Sequence, residues 1–344
     1  MKLNIKISKI ANFFFFVTNL SEWHFSCRTS YNEAWIKKMG PLNGEEAKAL
    51  ATFKPIMRKY GFVRRPQNKK GCYLGEFFYT GSSTTVWKRL AVAVTKNEYV
   101  AIRKIFATFS QRFEKVWAGS KDGRVDVFKG ELEKRNNKNL FNDTEAIFGT
   151  SYLSTKINVV VLFSPLGINE TAAGSANLGA GYCSLELPKL KAGTWQLHYS
   201  IGILAHEIAH SLFASRGGLK LIRRAMREKN LRSQIRNISM NTISLLNEII
   251  VASFVPLGYF GMKYFGAILT PLSVSNLKKG RRAEKTFKEG GVVGYYHQLE
   301  HYFVPRCFSL ASSYGKMGKP LDVWFVKGIA SVLKNLTQEK RGRR

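Results

Sequence analysis

The chain has 344 residues, 45% hydrophobic and 13% aromatic, which excludes a disordered protein and leaves room for a large core. Its 54 Lys and Arg against 23 Asp and Glu give a net charge of +31, a field that favours polyanions but does not specify fold or chemistry. Cys27, Cys72, Cys183 and Cys307 are too scattered for a disulfide scaffold and form no C-x-x-C pair of a zinc ribbon.

The basic start, residues 1–9, leads into an apolar stretch, 10–17, with four consecutive phenylalanines. It has the outline of a secretory signal. Asn12 interrupts it, however, and no small-x-small cleavage site follows, so a core element and a cytoplasmic chain are expected. Residues 45–60 have helical spacing interrupted by Pro55, and 86–94 and 98–116 read as amphipathic helices. The polar run 134–139 (KRNNKN) reads as a loop or boundary. The expected organisation is a mainly helical region over 1–150, a second domain over 151–335, and a basic tail over 336–344.

From residue 155 the texture changes. The β-branched run 157–163 ends at Ser164-Pro165 and reads as a buried strand. A Gly- and Ala-rich loop, 167–181, is expected next. Residues 181–188 largely alternate apolar with polar and stop at Pro188, as an edge strand does.

The run 203–213 then carries H-E-x-x-H: His206, Glu207 and His210. Thr194 is placed to cap its helix, Gly217-Gly218 to end it, and its flanks from 195 to 215 are uncharged. Histidines four apart share one helical face, so both imidazoles reach a single cation, and Glu207 is turned aside where it acts on water. The bland alternative is a buried helix whose histidines make only structural hydrogen bonds. Further on, 243–269 is mostly apolar but broken by Glu248, Pro256 and Lys263, which argues for a buried helix and against a transmembrane one.

Strand, edge strand and H-E-x-x-H helix in that order resemble the zincin fold of zinc metallopeptidases, over roughly residues 155–305. The expected fold is α+β: a zincin-like domain with a small sheet, the H-E-x-x-H helix and a glutamate-bearing helix, preceded by the helical region. The resemblance implies Zn2+ held by three protein ligands, a peptide or protein substrate, and Glu207 as general base on a metal-activated water. The residues after His210 do not continue the metzincin pattern, and no histidine occurs between His210 and His297. Gluzincins instead take a glutamate from a following helix, and Asn247-Glu248 resembles that helix, which makes Glu248 the implied third ligand beside His206 and His210. The gap from His210 to Glu248 is longer than in compact members, and no aspartate stands at 252 to brace a histidine.

Lys220, Arg223, Arg224, Arg227, Lys229, Arg232 and Arg236 crowd the intervening stretch, as a solvated basic face or an anion-binding surface. Lys278-Lys279-Gly280-Arg281-Arg282 reads as a loop. His297 and His301 spell H-x-x-E-H, but only Glu339 lies downstream to complete an inverzincin set. The resemblance makes Tyr295, Tyr296, His297, His301 and Tyr302 candidates for stabilising an oxyanion. The alternative function is a basic, nucleic-acid- or anion-associated protein in which the zincin-like domain is inactive or secondary.

Overall fold

A computed structural model describes residues 2–24, 26–61, 73–118, 122–149, 156–168, 171–177, 182–228, 242–266 and 296–338. The fold is α+β. Strand β1 (Lys2–Ile7) leads into α1 (Lys9–Leu20), α2 (Thr29–Met39), α3 (Gly44–Tyr60), α4 (Leu74–Thr80), α5 (Ser83–Ala91), α6 (Lys96–Ala118), α7 (Arg124–Leu132) and α8 (Arg135–Phe148). Strands β2 (Lys156–Phe163), β3 (Ala173–Asn177) and β4 (Tyr182–Leu187) precede α9 (Trp195–Ser215), α10 (Gly218–Glu228), α11 (Thr242–Ala252), α12 (Tyr259–Phe265), α13 (Tyr296–Met317) and α14 (Val323–Gln338).

The four strands form one mixed sheet in the order β1-β2-β4-β3, with β1, β2 and β4 parallel and β3 antiparallel to β4. Strand β2 is covered on both faces, which is why it reads as an unbroken apolar run. Val160 and Leu162 pack among Phe14, Phe78, Phe106 and Phe109 from the helices before residue 118. Val159, Val161 and Phe163 pack among residues of α7 to α9 and the later helices. The first 150 residues supply β1 to the common sheet, one of its covering layers, and α7 and α8 of the other.

Several local expectations are corrected. Residues 181–188 are not an edge strand, since β4 lies between β2 and β3. The edge is β3, whose sequence Ala-Gly-Ser-Ala-Asn sits in the stretch expected to be loop. The polar run 134–139 is the start of α8 rather than a loop, because Leu140, Phe141, Ile147 and Phe148 bury one face of that helix. Helix α3 continues through Pro55. The stretch 10–17 lies in α1, and Asn12 is no interruption there. Its amide donates to Val161 O at 3.0 Å and accepts from Phe163 N at 2.7 Å, serving backbone groups of β2 beyond the end of β1. Among the described residues no helix is long and apolar enough to cross a membrane. The apolar stretch from 243 is divided into α11, a turn over 253–258, and α12; residues 267–269 lie outside the described residues.

Candidate metal centre

Helix α9 is buried around most of its circumference, as expected of a helix apolar on all sides. Thr194 occupies its N-cap position, but the hydroxyl bonds Lys191 O instead of a helix N–H. His206 and His210 are each 5% exposed and Glu207 8%, so all three polar groups must be satisfied within the protein.

Helix α11 packs beside α9 and brings Glu248 to the histidines. Glu248 Oε2 lies 3.2 Å from His210 Nε2 and 3.4 Å from His206 Nε2, and the two Nε2 atoms are 2.9 Å apart. One ligand atom from each residue falls within 4.8 Å of the others, the only such group of three among the described residues. Burial alone would raise the Glu248 carboxyl, but the two imidazoles beside it hold it well below the ordinary carboxylate range.

The outer nitrogens of both rings are engaged. His206 Nδ1 donates to Val255 O at 2.9 Å, which turns Nε2 toward Glu248. The Asn247 amide, able to donate or accept, stands 2.9 Å from His210 Nδ1. The backbone carbonyl of Val255 thus does what the absent aspartate at 252 would do. Gly202 makes this approach possible. It stands one turn before His206, and a Cβ there would meet Pro256 Cβ at 2.7 Å, so a larger residue would push the 253–258 turn away.

Three atoms with lone pairs cannot converge at 2.9 to 3.4 Å without protons or a cation between them. Two imidazole nitrogens and one carboxylate oxygen form a donor set suited to a divalent first-row cation, zinc among them. No protein-family model, curated protein or solved structure matches this chain. The site must therefore be read from its own geometry.

Glu207 does not join this cluster. It points to the edge strand, where a Cβ on Gly174 would lie 2.6 Å from Glu207 Cγ and 2.9 Å from Oε1. Burial raises its carboxyl to about 7, against the opposing pull of the two imidazoles.

His206, Glu207, His210, Asn247 and Glu248 line one end of a cavity of about 520 Å³. Its other wall comes from the first third of the chain, including Phe14, Trp23, Arg28, Tyr73 and Tyr79. Nothing in residues 1–150 marks this wall in the sequence, because it is built from scattered aromatic positions that meet only in the fold.

Of the residues expected to stabilise an oxyanion, only Tyr302 has a described side chain. Tyr295 lies outside the described residues, as do the side chains of Tyr296, His297 and His301. Tyr302 is a core residue under the Arg306 guanidinium and is not among the cavity's lining residues. Lys220, Arg223, Arg224 and Arg227 are exposed on α10, whereas Lys229, Arg232, Arg236, the 278–282 run and the basic tail from 339 lie outside the described residues.

Proposed function

We propose that the protein is a zinc-dependent peptidase with a zincin-like catalytic unit, in which His206, His210 and Glu248 hold the metal and Glu207 is the general base. The convergence of the two Nε2 atoms and Glu248 Oε2 at 2.9 to 3.4 Å carries this reading. A bound zinc ion would supply Lewis acidity, polarising a carbonyl and lowering the pKa of water to about 7.

The chain's own residues provide the rest. Glu207 Oε takes the proton of the attacking water and passes it to the amine that leaves. Its place against Gly174 keeps the carboxylate beside the edge strand, whose outer side pairs with no other strand among the described residues and could take an extended peptide. The aromatic side chains of the wall lower the polarity around the charges inside, which strengthens their interactions.

The experiment compares wild type with Glu207→Gln on a labelled casein substrate. Glu207→Gln is expected to keep its zinc and lose hydrolysis by about 10²- to 10⁴-fold. Hydrolysis that survives unchanged would remove Glu207 from this role. The exposed Lys220, Arg223 and Arg227 support a second reading, association with polyanions. Salt-sensitive nucleic-acid binding that persists in Glu207→Gln, together with absence of hydrolysis in wild type, would favour it.

A further inference from the structure

Away from the metal ligands, the cavity holds a charged pair that the proposed chemistry does not use. Arg28 and Glu186 both line it. Arg28 is held in place by its own backbone: the Asn19 side chain accepts from Arg28 N at 2.8 Å and donates to Arg28 O at 3.0 Å. Asn19 is in turn buried and donates to Asn32 Oδ1 at 2.7 Å, so the turn between α1 and α2 is clamped from below. A clamp of this kind fixes the direction in which a side chain is presented and lowers the entropy lost when it binds.

The guanidinium is under-used where it stands. Its Nε lies 3.7 Å from Glu186 Oε2, beyond a hydrogen bond, and its carbon lies 5.3 Å from the centre of the Tyr31 ring. A guanidinium carries five N–H donors in a planar fork. Among the described residues, the Glu186 carboxylate and the Tyr31 and Tyr199 hydroxyls are its polar side-chain neighbours, fewer than its five donors.

Glu186 is shared between two partners. Its Oε2 accepts from Tyr31 O–H at 2.9 Å, and burial raises its carboxyl against the pull of Arg28 and Tyr31. Arg28 remains charged at any pH the protein meets.

The pair shares the cavity with the reacting end. Glu186 stands opposite Ala173 in the sheet, next to the Gly174 against which Glu207 rests. Successive side chains of a strand leave opposite faces, so Glu186 lies on the face away from Glu207, and the cavity that both line joins the two faces at the β3 edge.

We propose that Arg28 is a specificity-determining residue, anchoring a carboxylate of the substrate in the cavity that also holds Glu207. This rests on the peptidase reading above. The carboxylate comes either from the free C-terminus of the peptide or from an aspartate or glutamate side chain. Both offer the two oxygens that a guanidinium fork binds in parallel, and the cavity's aromatic wall strengthens the pairing.

The test measures binding by calorimetry to full-length Glu207→Gln protein loaded with zinc. The ligands are an N-acetylated tripeptide as free acid and as amide, and two amidated versions ending in aspartate or asparagine. At least one pair, acid over amide or aspartate over asparagine, is expected to differ by about tenfold or more, and which pair differs identifies the source of the carboxylate. Arg28→Gln combined with Glu186→Gln, which removes both charges together and leaves neither buried alone, is expected to bring that ratio to about one. Arg28→Lys keeps a point charge and retains part of the preference. Equal affinity within both pairs, absence of binding, or a preference that survives in the double variant overturns the assignment. Failure of the peptidase reading shows separately, as wild-type protein that cleaves no peptide even where Arg28 governs binding.

Discussion

At the scale of single residues, the site depends on close approaches that leave no spare volume. A Cβ at Gly174 would sit 2.6 Å from Glu207 Cγ, so Gly174→Ala displaces the proposed base or the edge strand. Displacements near 1 Å cost about 10²-fold in rate, and overpacking costs about 1–3 kcal/mol in stability. Gly174→Ala is therefore expected to lose most hydrolysis while keeping its zinc, which turnover and metal content measured on one sample check. Asn12→Leu tests a different kind of contact. It removes two buried hydrogen bonds to β2 while keeping the number and branching of side-chain heavy atoms, and should cost about 1–3 kcal/mol, read as a lower denaturant midpoint.

At the scale of elements, acid stability is set where helices join. Burial alone would raise the Glu98 carboxyl, but it is held at about 2 by Lys59 Nζ at 2.7 Å, Tyr60 O–H at 2.8 Å and Thr95 N at 2.9 Å, which tie α6 to α3. Asp322, at the start of α14, is likewise held at about 2 against the opposing effect of burial, by Lys319, Tyr314 and Phe325 N. Both folded values lie below the ordinary ones of 4.5 and 3.8. Their contribution is therefore fully present above those ordinary values and lost as pH falls toward about 2. Glu98→Gln is expected to lower stability at pH 7 by about 1–2 kcal/mol, allowing for solvent screening of the part-exposed Lys59, and to lose less than wild type on acidification. Urea midpoints at neutral and acid pH decide this; an equal loss in both proteins would contradict it.

The same scale shows what was legible in the sequence. Helices α6 and α9 and strand β2 announce themselves, because periodicity and burial agree within one segment. The proposed ligands His206, His210 and Glu248 were readable from motif and resemblance, and the fold brings them together. Strand β3 was hidden: its small residues lack β-propensity and are selected by the space between β4 and Glu207. The Val255 brace is a backbone carbonyl, which no side-chain pattern reveals. Arg28 was hidden for a related reason, since only the folded Asn19 clamp and the cavity distinguish it from the chain's other basic residues.

For the whole molecule, the sheet is the organising surface. Its two covered faces join the first third of the chain to the helices that carry His206, His210 and Glu248, and the cavity lies where they meet at the β3 edge. The folded chain brings together three donors that one cation can bridge, so metal binding is expected to stabilise the fold through mass action. Measuring metal content in wild type, Glu207→Gln and Glu248→Ala, each purified in the presence of zinc, tests the central claim most directly. The account predicts close to one equivalent of zinc in the first two and its loss in Glu248→Ala. A wild-type protein without bound metal, or a Glu248→Ala protein that keeps a full equivalent, would contradict it.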